Sequence, residues 1–398
     1  MDLSESTISK EAQLVDKKAT ISKTVVYYAS YIALGLVIAV LGPTLPGLAE
    51  QTKVRLSEIS FLFTAHSFGY LIGALLGGRF YDRTPGHPVM ALSLITMMAM
   101  MVMVPFLPLL WILTLVLMVM GISEGILDVG GNTLLIWMHK SRVGPFMSGL
   151  HFCFGLGALI SPIIVAQMVR ITGDINWAYW FLALIIFPIS IVMLRLPSPE
   201  IQVPTGDAES KGANFIFVGL ISFFFFLHVG GELSFGGWIF TYTITAGLAD
   251  KTIAAYLTSA FWGSLTLGRL LGIPVSSRVK PRYILIGDLA GCVIGTGIIL
   301  LWPHSAGVLW VGTVLTGLSV ALIFPMTLTF AERYLHISGK ITSWFFVGAS
   351  VGGMFLPWFI GQLFESIGHY MTMIVLVINF AVAMGVLVFT LNYAGRKH

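Results

Sequence analysis

Three polar side chains recur at four-residue spacing inside an apolar stretch. They are Glu124, Asp128 and Asn132 in GISEGILDVGGNTLLIW, residues 121–137. In a helix that spacing puts all three on one stripe, with Asp128 about 6 Å and Asn132 about 12 Å further along than Glu124. Carboxylate and amide oxygens suit a hard cation. Two acids this close do not both ionise cheaply unless a cation sits between them or one takes up a proton. The stripe therefore reads as a cation-coupling site for Na⁺ or H⁺, and Glu124 and Asp128 are the metal ligands if the ion is Na⁺. The structural alternative is that the acids bond Ser, Thr or His of neighbouring helices and only hold a bundle together.

A second constellation is HVGGELSFGGWIFTY, residues 228–242, where His228 and Glu232 stand one helical turn apart. They suit hydrogen bonding to solute hydroxyls or a proton relay, and Trp238 offers a ring face. Glycines 230, 231, 236 and 237 weaken the helix, as at a broken helix lining a cavity. The alternative has His228 and Glu232 satisfying each other, with Trp238 and Tyr242 in an interfacial aromatic belt. His151 is a solute or coupling candidate. Tyr28, Tyr31, Trp262 and Trp344 are candidates for a sugar-stacking wall, and Gln167 is a further polar candidate. His66 reads as a satisfied core residue. Asp82 and Arg83, with Glu332 and Arg333, read as a salt-bridged gating latch.

These residues need elements to position them, and composition says what kind. The 398-residue chain is 57% hydrophobic and only 10% charged, with a mean hydropathy of +0.91. A soluble domain is nearer a quarter charged, so the chain is polytopic in a membrane. Apolar runs of spanning length fall at about 24–48, 57–80, 88–108, 109–138, 144–170, 176–195, 214–246, 252–277, 282–302, 306–331, 341–364 and 370–391. With both termini cytoplasmic, 18 of the 22 Lys and Arg residues lie inside, and only Lys53, Arg55, Arg170 and Lys251 lie outside. Residues 1–23 are polar, of mixed charge and unlike a signal peptide, and read as a cytoplasmic tail. The two cysteines, Cys153 and Cys292, have no ligand partners nearby, which argues against a disulfide framework or zinc site. The net charge of +4 reflects loop placement and not nucleic-acid binding.

The polar stretch 196–213 divides the chain into halves, 24–195 and 214–392, leaving 393–398 as a C-terminal tail. The halves resemble each other. GALLGGRF (73–80) parallels GSLTLGRL (263–270) at an offset of 190, and GALISP (157–162) parallels GGMFLP (352–357) at an offset of 195. On this repeat Glu124 falls opposite Val320 and Asp128 opposite Phe324, so the acids stand in one half only. Two parallel six-helix repeats are the layout of transporters that rock about a central site.

GGRFYDRTPGHP (77–88) resembles the loop between the second and third helices of the major facilitator superfamily. EGILDVGGNTLLIW, LHFCFGLGALISP and HVGGELSFGGWIFTY resemble its fucose permease and sodium-dependent glucose transporter branch. The resemblance implies an all-α membrane fold of twelve transmembrane helices in two pseudo-symmetric halves, over residues 20–395. Two departures bear on mechanism. Proton-driven drug exporters of the superfamily carry an arginine in the outer part of helix 4 and a Gly-Pro-Gly-Gly run in helix 5. LVLMVMGIS has no arginine, and no glycines follow Pro162. Fucose permease carries an acid on helix 1, and VVYYASYIALGLVIAVLGPTLPGL has none.

The expected function is secondary uptake of a small polar solute, a sugar, by symport with Na⁺ or H⁺. The alternative is a proton-coupled exporter of drugs or lipids. No nucleophile elbow, metalloprotease motif or nucleotide loop marks an enzyme. No cofactor beyond the coupling ion and no nucleic-acid partner is expected. The expected setting is a lipid bilayer, as a monomer in a cell membrane of the bacterial inner-membrane kind.

Overall fold

A computed structural model of the chain describes the backbone of residues 2–201, 215–335 and 339–395, and the side chains of 20–201, 215–335 and 341–394. These residues form twelve long helical segments. The first half holds α1 (Asp2–Thr52), α2 (Leu56–Ile59 continuing as Phe61–Tyr81), α3 (Gly86–Met103), α4 (Leu110–His139), α5 (Val143–Thr172) and α6 (Asn176–Arg195). The second holds α7 (Phe215–Thr245), α8 (Lys251–Ser276), α9 (Pro281–Leu301), α10 (Ala306–Val320 continuing as Ile323–Ala331), α11 (Gly339–Ser366) and α12 (Met371–Gly395).

Ten stretches among the described residues are long and apolar enough to cross a membrane. One of them, Leu110–Thr172, is α4 and α5 joined by a short 3₁₀ turn, and α8 completes the twelve. The helix α1 begins at Asp2, inside the stretch read as the tail 1–23, while its spanning part begins at Thr20. The reason is local, since residues 2–23 contain neither Gly nor Pro to stop the helix. The predicted linker lies outside the described residues from 202 onward, and the C-terminal tail does so from 396.

Within the halves α1 packs on α5, α2 on α4, α7 on α11 and α8 on α10. Across them α5 meets α8 and α2 meets α11. The tight pairs use glycine, which lets backbones touch where no side chain intervenes. A Cβ on Gly121 would overlap the carbonyl oxygen of His66, and one on Gly125 that of Tyr70, so α2 lies directly on α4. The second half repeats the contact, with Gly317 of α10 set against the carbonyl of Phe261 in α8.

These contacts fix the repeat register. Gly121 corresponds to Gly317 and His66 to Phe261. Gly73, set against Ile122, corresponds to Gly268, set against Leu318. The offset for α2 and α8 is therefore 195, and the sequence pairing of Gly73 with Gly263 and of Arg79 with Arg269 is out by five residues. Arg79 is exposed at the end of α2, whereas Arg269 stands opposite Ala74, more than a turn deeper. Helix α10 breaks at Ala321–Leu322 because Pro325 has no N–H to give the Ala321 carbonyl.

Both described chain ends lie at one end of the bundle, here the terminal end. Among the described residues, the side-chain hydrogen bonds between halves all lie toward the opposite, far end. Thr64 donates to the Met354 carbonyl at 2.9 Å, Gln167 to the Tyr256 hydroxyl at 2.5 Å, and Gln362 to the Ser57 carbonyl at 2.7 Å. The far end is closed. The predicted latch at the terminal end is not formed: Asp82, Arg83, Glu332 and Arg333 are exposed and make no ion pair with a described residue.

Candidate functional site

The α2–α4 contact builds the first cluster. Because glycines 121 and 125 bring the backbones together, side chains one turn along meet across the seam. The His66 Nε2 lies 2.9 and 3.0 Å from the two carboxylate oxygens of Glu124, which is fully buried. Asp128 is surrounded by donors. The Tyr70 hydroxyl donates to its Oδ2 at 2.6 Å and the Tyr31 hydroxyl to its Oδ1 at 2.7 Å. The Asn132 amide reaches the same Oδ1 at 3.2 Å and the Tyr31 oxygen at 2.8 Å. Hydrogen bonds to a carboxylate are about twice as strong as neutral ones, so this network holds Asp128 in one geometry.

Two of these partners were not legible as such. His66, read as a satisfied core residue, is satisfied by Glu124 on the neighbouring helix, the pairing that the structural alternative allows. The sequence did not say which acid it meets. Tyr70 stood in no motif, and only the glycine spacing of α4 signals the close approach that makes it a hydrogen-bond donor to Asp128. In the second half the register replaces the whole quartet. His66, Tyr70, Glu124 and Asp128 correspond to Phe261, Leu265, Val320 and Phe324, of which the first three are buried and apolar. The same backbone contact packs with no acid, histidine or tyrosine at the matching positions, so bundle geometry does not require the acids.

The second cluster lies mainly on α7 and α8. His228 is fully buried, and its Nε2 is 3.6 Å from Glu232 Oε2, too long for a hydrogen bond. Neither ring nitrogen of His228 has a hydrogen-bond partner, nor has the buried Nε1 of Trp262. Arg269, read from sequence as a loop charge, lies within electrostatic reach of Glu232, His228 and His151. His151 on α5 is also within reach of Asp128 and sits edge-on to Tyr31, ring centroids 6.0 Å apart. It thus stands between the two clusters.

Other expected wall residues are elsewhere. Trp238 is fully buried, donates to the Pro357 carbonyl at 2.9 Å and packs on Phe63 of α2 and Phe364 of α11. It is neither a free ring face nor part of a lipid belt, because the closed far end encloses it. Tyr242 is likewise buried, edge-on to His369. Trp344 is 52% exposed in an apolar groove with Phe215, Phe223 and Val351, apart from both clusters. Tyr28 is half-buried and donates to the Phe146 carbonyl at 3.0 Å. Among the described residues no three His, Cys, Asp or Glu side chains gather as metal ligands.

Residues 27–357 match the Major Facilitator Superfamily. The chain belongs to that superfamily. Sodium-dependent glucose transporter 1 of Xenopus laevis is 31% identical over 358 residues, covering 82% of this chain and 73% of the relative. Its Homo sapiens namesake is 28% identical over 373 residues, covering 84% and 72%. Among solved structures, a D-xylose-proton symporter superposes with a TM-score of 0.78 at 14% identity, covering 92% of this chain and 97% of that one, which bears on the fold. As a superfamily member the chain is a multi-pass membrane transporter and not an enzyme.

Proposed function

We propose that the protein takes up a sugar by symport with a cation, Na⁺ or H⁺, bound at the Glu124–Asp128 cluster, with the sugar held between that cluster and α7–α8. One observation carries the reading. The first half has a polar quartet that its own repeat replaces with apolar residues, and the second half has buried polar groups with no partner. A buried polar group left unpaired costs about 1–3 kcal/mol, so His228 and Trp262 Nε1 are better explained by a ligand that supplies hydroxyls. Glu232 and Arg269 add an acceptor and donors beside them. The names of the relatives, a sodium-dependent glucose transporter and a D-xylose-proton symporter, support a sugar and a coupling cation. The positive-inside pattern supports a cytoplasmic terminal end and an external far end, and on that orientation the structure is read as a state shut to the outside.

Uptake of labelled D-glucose and D-xylose into proteoliposomes, with Na⁺ and H⁺ gradients imposed separately, tests the reading. One gradient is expected to drive accumulation. Glu124→Gln and Asp128→Asn should abolish accumulation while sugar exchange persists. Glu232→Gln and Trp262→Phe should each weaken sugar binding about tenfold. Accumulation by the double amide variant would remove the coupling role. Unaltered sugar affinity in both α7–α8 variants would remove the solute site.

A further inference from the structure

Asp288 of α9 belongs to neither cluster. Its Oδ2 is shielded from water and has no hydrogen-bond partner, while the residue as a whole is half-buried, so the carboxyl is shut in on one side only. Helix α9 packs on both pieces of α10 and on α12. Residues 306–331 of α10 include no titratable side chain, and residues 371–395 of α12 include one, Tyr393, toward the terminal end. On α9 itself Cys292 stands one turn along, within electrostatic reach of both Asp288 and Glu232. Arg282, at the helix start, lies over the Tyr283 ring, 4.5 Å from its centroid. Among the described residues, then, neither packed helix brings Asp288 a cation. An acid in an apolar setting with no donor and no counter-charge sheds its charge by taking up a proton.

The place of the acid gives that proton a use. Gly291 of α9 is set against Ser319 of α10, and Gly295 against Thr316. In this antiparallel pair, one turn further toward the terminal end brings Asp288 level with Leu322, at the break in α10. There the Ala321 carbonyl lacks its helical donor, because Pro325 has no N–H. The same break rests on α8, Ala321 against Gly268 and Leu322 against Gly272, two glycines that bracket Arg269 in sequence. The first half has neither feature. The offset of 195 that relates α2 to α8 also relates the starts of α3 and α9, Gly86 and Pro281, and sets Ser93 at the place of Asp288. Ser93 is buried and donates to the Val89 carbonyl of its own helix at 3.0 Å. Helix α4, with Val129 where α10 has Pro325, runs unbroken from Leu110 to His139. The acid and the break occur together, in one half only.

We propose that Asp288 is a proton-binding site, separate from the Glu124–Asp128 cluster, and that its proton holds the α10 break together. A protonated Asp288 has an O–H to donate to the backbone at the break. An ionised one presents only acceptors to a stretch already short of a donor, and the break loosens where it supports α8 beside Arg269. The proton thereby fixes the seat of the guanidinium that serves the solute cluster, and solute handling weakens as the proton leaves. The transport arm of this inference rests on the α7–α8 solute site, and no part of it rests on which cation is coupled.

Thermal shift of the purified protein between about pH 5 and about pH 9, without solute, provides the first arm of the test. A proton held by the folded state and released by the unfolded chain makes stability fall as pH rises. Asp288→Asn, neutral at every pH and still a donor, should match the wild-type Tm at low pH and exceed it at high pH. The second arm is D-glucose exchange in proteoliposomes with equal pH on both sides. Wild-type exchange should fall about tenfold per pH unit once the proton leaves, while Asp288→Asn stays level over the same range. Asp288→Leu, neutral but no donor, should lose exchange about tenfold at every pH. If it does not fold, Asp288→Asn carries the test. Parallel pH profiles of wild type and Asp288→Asn in both arms overturn the proposal, as does full exchange by Asp288→Leu. A Tm rise with Na⁺ at high pH that Asp288→Asn abolishes would give the site to Na⁺ and overturn the proton. If no variant and no wild type exchanges sugar, the solute reading has failed, and the Tm arm decides the proposal by itself.

Discussion

A methyl group at Gly121 would push apart the two helices whose contact creates the acid cluster, and the repeat supplies its control. A Cβ at position 121 overlaps the His66 carbonyl, so Gly121→Ala must separate α2 and α4 by on the order of 1 Å. The Tyr70–Asp128 bond, 2.6 Å long, would stretch to roughly 3.6 Å and cease to be a hydrogen bond. The His66–Glu124 contact at 2.9 Å would open with it. A hydrogen bond to a charged group contributes about 1.5–3 kcal/mol, so losing one should weaken ion coupling about ten- to a hundredfold. The overpacking itself should cost about 1–3 kcal/mol of stability. Gly317→Ala repeats the steric insult against Phe261, beside Leu265, Val320 and Phe324, where there is no polar cluster to break. Both variants should therefore lose similar thermal stability. Only Gly121→Ala should lose gradient-driven accumulation in proteoliposomes while keeping sugar exchange. Equal loss of accumulation in the two variants, at equal Tm, would refute the idea that the glycine seam exists to place His66 and Tyr70.

Trp238→Ala should lower stability by about 3–5 kcal/mol and expose Phe63 and Pro357 at the far end, read as a fall in Tm and faster labelling of a cysteine placed at Ser60 from outside, with sugar affinity changed less than about twofold. Asp82→Asn should leave sugar affinity unchanged and slow turnover, because Asp82 is exposed and unpaired here and has a partner to gain only when the terminal end closes. A large loss of affinity at unaltered turnover, in radiolabelled binding and exchange assays on the same preparation, would count against that gating role.

Hydrophobic run length and loop charge are enough to read the helix count, because lipid imposes them on any chain that crosses it. The acid stripe was legible for the same reason, since an ionisable group in an apolar run stands out. Its partners were not. His66 and Tyr70 are ordinary residues until the α4 glycines bring their helix to backbone contact, and that is a tertiary fact. Arg269 was misplaced by a specific error. It was counted with the charges of the cytoplasmic side, and the Gly–Arg spacing shared by 73–79 and 263–269 set it beside the exposed Arg79, but Gly73 packs as Gly268 does and Arg269 stands inside α8. Trp238 failed differently. An aromatic near a helix end fits a lipid belt equally well on sequence, and only the approach of α2 and α11 in the closed far end encloses it.

The placement of satisfied and unsatisfied groups bears on how coupling is transmitted. Among the described residues, every hydrogen-bond partner of Glu124 and Asp128 lies on α1, α2 or α4, inside the first half. If the halves rock as rigid bodies, those bonds persist through the cycle, and the ion site alone cannot sense which end is open. A signal must cross to the second half, and the described clusters offer two routes. One is electrostatic, from Asp128 to His151 and on to Arg269, because His151 is within reach of both while α5 and α8 belong to different halves. The other is the solute itself, once its hydroxyls satisfy His228 and Trp262. On the proposed coupling role, a cation at Asp128 would change the charge that His151 meets, and Arg269 on the other side of His151 would carry that change toward Glu232 or the sugar. Coupling of this kind needs no ligand shared between ion and sugar. It requires only that Arg269 have two uses for its charge and that the ion decide between them.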